Sequence, residues 1–205
     1  MTAIAFGRRL RAATTGFVVG CRVAEPEAPV FGALVRVPQP EGLQVYGLVY
    51  DIHIDDDGLV RQLATTSEID ESVIADNRTN RNVPIEMSVL AAGYELDGAV
   101  RHLLPPRPPL SLDQIYVCSQ QELCRFTNQG RFGYLRHVLR AADLPVAELL
   151  ATHLEHAAQA HQAVGDAEWF GRATRELITL LRDDYPLLQQ VLSALADVQS
   201  GDRHV

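Results

Sequence analysis

The chain has 205 residues, a formal net charge of −8 and 47% hydrophobic residues. That suits one large domain or two small ones with a packed core, and it argues against a non-specific nucleic-acid coat, which needs a cationic surface. All 18 basic residues are arginine, so the chain builds neither a Walker A phosphate loop nor a lysine Schiff base; a GC-rich genome accounts for the bias.

Residues 1–14 read as an N-terminal segment. The stretch RRLRAATTGFVVGC ends in Val18-Val19-Gly20-Cys21, the form of a lipoprotein cleavage box. Thr14, Thr15 and Gly16 break its apolar run, so TGFVVGCRV is read instead as the first strand. Cys21, Cys118 and Cys124 are too few and too odd in number for a disulfide framework, and the expected compartment is the cytoplasm. No run approaches the roughly 18 apolar residues of a spanning helix.

Strands are expected from residue 15 to about 104. VFGALVRV (30–37) is short, β-branched and bounded by Pro29 and Pro38. In VYGLVYDIHI, Tyr46, Leu48, Tyr50, Ile52 and Ile54 alternate with Val45, Gly47, Val49, Asp51 and His53. This period of two predicts a strand, with Tyr46, Leu48 and Tyr50 pointing into the core of a closed sheet. Asp55-Asp56-Asp57-Gly58 follows. Laid on a calcium hand, it puts His53 first and Ala64 last, the wrong hard-oxygen donors, so Asp57-Gly58 reads as a hairpin turn. The polar stretch 67–82 reads as a short helical insertion capped by Ser67 or Asp70. In VPIEMSVLAAGYEL the apolar phase shifts from Ile85, Met87 and Val89 to Leu90, Ala92 and Tyr94, and with Gly93 this predicts a bulge. AVRHLL is a further strand, ended by PPRPP, and IYVC is one more possible strand.

The period then changes. Ser119 and Glu122 have capping-box spacing. Phe132, Leu135, Val138 and Leu139 make a helical stripe. Asp143 is an N-cap candidate, Gly165 a stop, and a break is expected before Pro186. The resulting fold class is α+β. A small closed β-barrel of about six strands with one helical insertion (15–117) is followed by an α-helical bundle (118–198) and a flexible tail (199–205).

The candidate sites are few. His153 and His156 share a helix face, but His161 lies about 140° further round, and leucine follows His153 where a metalloprotease has glutamate. Solvated helix-face histidines are the simpler reading, and a metal-dependent hydrolase on His153 and His156 is a remote alternative. Cys118 and Cys124 are too widely spaced for an ordinary zinc knuckle and read as buried thiols. Arg125, Arg131, Arg136 and Arg140 concentrate positive charge, with Arg136 and Arg140 one turn apart. Arg131, Arg136 and Arg140, with Arg78, Arg81 and Arg107, are the candidate contacts for a partner or nucleic acid. No catalytic constellation, metal site or cofactor site is assigned.

FGALVRVP, VYGLVYDI, GYELDGAVRHLLPPRPP and IYVCSQQEL with the helical tail resemble the HAS-barrel family, the small barrel shared by HerA-type DNA translocases and rotary ATP synthase catalytic subunits. Standalone bacterial members with a helical C-terminal region are the most similar, and the resemblance spans roughly residues 15–195. It implies docking or oligomerisation without an ATPase domain, and it carries over no catalytic residue. The expected function is a non-catalytic protein-interaction or assembly module. The alternative is an accessory factor of a DNA translocase and nuclease system, with a HerA-type ATPase or NurA-type nuclease as the implied partner. A homo-oligomer is also open.

Overall fold

The structure, a computed structural model, describes residues 5–22, 29–54 and 84–201. Seven strands are present among these residues: β1 (Ala5–Ala13), β2 (Gly16–Arg22), β3 (Leu34–Pro38), β4 (Gln44–Ile54), β5 (Pro84–Leu96), β6 (Ala99–Arg101) and β7 (Gln114–Val117). Five helices follow: α1 (Gln120–Thr127), α2 (Leu135–Arg140), α3 (Val146–Ala163), α4 (Trp169–Leu180) and α5 (Tyr185–Gly201). The expected turn at Asp55–Gly58, the helical insertion at 67–82, and Arg78 and Arg81 lie outside the described residues.

The sheet runs β2-β1-β7-β3-β4-β5, and β5 pairs back to β2, which closes a six-stranded antiparallel barrel. β6 stands outside the ring as a hairpin on β5. Its turn uses Asp97 and Gly98, both with positive φ, as a two-residue hairpin linker of this hand demands.

β1 departs from the sequence expectation, which set residues 1–14 apart from the barrel. Ala5–Ala13 sits between β2 and β7 and is indispensable to closure. Arg8, Arg9 and Arg11 made the segment read as polar. Phe6 nevertheless enters the barrel core. The Arg9 guanidinium is buried, where its Nε donates to the Leu110 carbonyl at 2.6 Å and its Nη2 to Ser111 Oγ. A buried arginine is tolerated because its donors are paired.

The barrel interior is narrow and mostly β-branched: Val19, Val35, Val37, Val45, Val49, Met87, Val89 and Ile115 meet there with Phe6 and Phe17. This corrects the expected orientation of β4. Tyr46, Leu48 and Tyr50 point out of the barrel, and Val45 and Val49 point in. The hydroxyl bears on the choice: the interior admits Phe6 and Phe17, but an inward tyrosine would bury its hydroxyl without a partner. Facing outward, the Tyr46 hydroxyl donates to Glu95 Oε2 at 3.0 Å and accepts from Gln44 Nε2 at 2.5 Å.

A second core lies over that outer face. Leu34, Tyr46, Leu48 and Ala92 of the barrel pack with Phe126, Leu135, Leu149, Leu150, Leu154, Trp169, Leu177 and Val191 of the helices. The apolar phase shift in β5 therefore has two causes. β5 carries the predicted bulge, since Tyr46 pairs with Gly93 while Gly47 pairs with Ala91. Beyond Val89, the helices also cover its outer face at Leu90 and Ala92.

The helix ends follow local chemistry. The Ser119–Glu122 capping box forms, with Glu122 N–H donating to Ser119 Oγ and Ser119 N–H to Glu122 Oε2. Gly165, at φ +89, ends α3 as expected. Asp143 does not cap α3: it has φ +59 in the preceding loop, and Pro145 holds the N-cap position. The break before Pro186 falls between α4 and α5, and α5 continues past the expected start of the tail at 199.

Two glycines make opposite predictions. A β-carbon at Gly47 would lie 2.4 Å from Val89 Cγ1 and 2.8 Å from the Leu90 carbonyl oxygen, whereas one at Gly171 on α4 meets nothing within 4 Å. Gly47→Ala should lower unfolding free energy by about 1–3 kcal/mol through overpacking. Gly171→Ala should raise it by up to about 1 kcal/mol through helix propensity. Paired urea titrations read both signs at once.

Candidate functional site

A cleft of about 680 Å³ lies on the outside of the barrel. One wall is the β1–β2 hairpin, with Arg11, Ala12, Thr15 and Phe17. The Thr15 carbonyl accepts from Ala91 N–H at 2.9 Å, which pins the hairpin turn to β5. A β-carbon at Gly16 would fall 2.5 Å from the Val89 carbonyl oxygen, so only glycine lets β2 approach this closely. The end of α2 and the loop after it also line the cleft, with His137, Arg140, Ala142 and Leu144. α2 stops because Ala141 turns extended. Tyr50, Val89 and Leu90 complete the lining.

The charge of the cleft is the reverse of the charge of the chain. Among the described residues its lining contains Arg11 and Arg140 and no aspartate or glutamate, in a chain with 26 acidic residues against 18 basic ones. Among the described residues, Arg11 has a long, exposed contact with Glu86, at 3.8 Å, a kind of pair that holds little energy. His137 Nε2 donates to the His102 carbonyl at 3.2 Å. Burial holds the His137 imidazole below its ordinary range. The His102 carbonyl opposes that shift, and Arg136 and Arg140 add to it.

The arginines singled out in the sequence do not act as one patch. Arg140 lines the cleft. Arg136, one turn earlier and exposed, donates from Nε to the Gly133 carbonyl at 3.1 Å. Arg131 is exposed with φ +50. Arg107 pairs with Glu41 at 3.3 Å, and Arg125 with Glu95 at 2.7 Å and the Gly98 carbonyl. Sequence reasoning missed Arg11, because it lay in a segment not recognised as a strand.

The histidines of α3 diverge. His153 is fully buried: Nδ1 donates to the Gly32 carbonyl at 3.1 Å, and Nε2 accepts from the Tyr134 hydroxyl at 3.3 Å. His161 stacks on Trp169 with ring centroids 4.5 Å apart. Its Nε2 meets Thr127 Oγ1 at 2.9 Å and its Nδ1 lies 3.5 Å from Asp166. Thr127, His161 and Asp166 have the order of a nucleophile relay, but the Thr127 hydroxyl is buried and donates to the Leu123 carbonyl at 2.8 Å. Among the described residues, no three metal-ligating side chains group together.

Burial raises the Cys118 thiol well above its usual range, with Glu122 adding to the shift and Arg36 opposing it. Cys124 is raised by burial and by Asp166, against a hydrogen bond to backbone. Neither is poised as a thiolate nucleophile. Cys21 packs in the barrel interior. No helix among the described residues is long and apolar enough to cross a membrane.

No protein-family model matches the sequence, and no curated protein matches it either. The class defined by the fold and site is a closed antiparallel β-barrel with a helical cover and an arginine-walled external cleft.

Proposed function

We propose that this chain is a non-catalytic interaction and assembly module that docks a protein partner in the cleft between the β1–β2 hairpin and α2. The observation that carries the reading is the inverted charge of that cleft. Among the described residues, two arginines and no carboxylate line a concavity of docking size on a chain of net charge −8. Charge complementarity of this kind selects and orients partners.

A HAS-like barrel with a helical bundle is the scaffold within this reading. Barrel closure and the helices behind it support the assignment. The β4 alternation no longer does, because Tyr46, Leu48 and Tyr50 face the helices instead of the barrel interior. Partners of the HerA or NurA type, a homo-oligomer and a cytoplasmic setting belong to the same proposal.

The test is affinity capture from the native host with the wild type and Arg140→Glu. A partner held through the cleft should be retained by the wild type and depleted about tenfold or more by the charge reversal, since a charge-assisted contact becomes a repulsion. Equal recovery by both would refute cleft docking. The accessory role in DNA processing is a second reading, favoured by the exposed pair Arg136 and Arg140 on α2. It requires duplex DNA to bind at low salt and to be released as salt rises.

A further inference from the structure

We infer that the cleft receives a short acidic segment of a partner protein, in which carboxylates flank an apolar or aromatic anchor. This rests on the docking reading above and names the chemistry of the partner. Arg11 comes from β1 and Arg140 from the end of α2, so two separate elements each bring one cation to the lining. Between them, Tyr50, Leu90, Leu104 and Leu144 offer apolar surface. A ligand with one charged head and one tail satisfies only one of these two cations. A peptide with an acidic side chain on either side of a buried anchor satisfies both and fills the floor.

The cleft volume of about 680 Å³ falls within the range that encloses a small ligand or a few residues of chain. Nucleic acid fits less well. With two arginines among the described lining residues, about two phosphates would be neutralised, too few for appreciable affinity at physiological salt. His137, held below its ordinary range mainly by burial, adds a polar contact to the lining. The neighbouring Glu86 is the internal competitor for Arg11, and at 3.8 Å it is readily displaced.

The experiment uses the full chain and fluorescence anisotropy of a labelled synthetic peptide that carries phenylalanine between two glutamates. Two control peptides replace both glutamates by glutamine or the phenylalanine by alanine. The proposal expects the first peptide to bind and each control to bind about tenfold more weakly or worse. Arg11→Gln and Arg140→Gln should each weaken the first peptide to a similar degree. Ala142→Glu, an added charge on an exposed lining position, should do the same without deleting any contact; far-ultraviolet circular dichroism confirms that each variant is folded.

Equal binding of the glutamine control overturns the proposal. So does binding that survives both arginine changes, or no binding up to about 1 mM peptide. Tighter binding of a duplex oligonucleotide or of decanoate than of the peptide overturns it in favour of nucleic acid or a small amphiphile. Arg140-dependent capture of a partner without peptide binding would defeat this inference and leave the docking reading intact. Capture indifferent to Arg140 would defeat the docking reading itself.

Discussion

Trp169→Ala should lower the unfolding free energy by about 3–5 kcal/mol, the range for emptying a buried tryptophan site. Trp169 is fully buried in the core between barrel and helices. It stacks on His161 and meets the edge of Phe132 at 5.6 Å, and aromatic contacts add to area burial. Domains of this kind are stable by roughly 5–15 kcal/mol in total, so the variant should unfold at much lower urea or lie largely unfolded at 37 °C. Trp169→Phe separates the possible contributions. The indole N–H is buried without a hydrogen-bond partner among the described residues, so the ring acts through area and stacking. Phenylalanine should keep most of the stability. A loss as large as that of alanine would show that the nitrogen is essential.

The second large effect is acid destabilisation through His153. Burial holds its pKa down at about 4; the Gly32 carbonyl opposes the shift and His156 adds to it. In the unfolded chain the same imidazole titrates near 6.5. Above about pH 6.5 both states are neutral and this group contributes no pH dependence. Between about 6.5 and 4 the unfolded chain takes up a proton that the folded chain refuses, so stability falls with falling pH. Below about 4 both states are protonated and the loss stops growing. At about 1.4 kcal/mol per unit, the total approaches about 3 kcal/mol. His102, His137 and His161 are also held low, with burial as the largest cause in each, and they act in the same direction. His153→Gln keeps a donor for the Gly32 carbonyl and removes the titration. Urea midpoints taken from pH 7.5 down to 4 should therefore converge, the wild type losing more than the variant. Parallel curves would mean that His153 takes its proton without opening the fold.

Much of this fold was legible because local chemistry dictates it. Ser119 with Glu122, Gly165, and Gly93 beside a change of apolar phase each mark a place where the backbone has few choices. The facing of β4 was not legible. A period of two establishes that alternate residues share a face, but in β4 both faces are apolar, and periodicity is silent on which one the barrel encloses. β1 escaped for the opposite reason: three arginines hid a strand whose only large inward anchor is Phe6. The cleft was least legible, since Arg11 and Arg140 come from distant parts of the chain and meet only because the barrel closes and α2 folds back beside it. The arginine cluster at 125–140 was visible in the sequence. That Arg107 and Arg125 are already paired while Arg140 faces a cavity was not.

β4 also bears on where this molecule divides. The change from strand period to helix period near residue 118 separates two kinds of secondary structure, yet β4 is a party wall with a tenant on each side. Val45 and Val49 furnish one room, and Tyr46 and Leu48 the other. A change in β4 is therefore felt in both rooms at once.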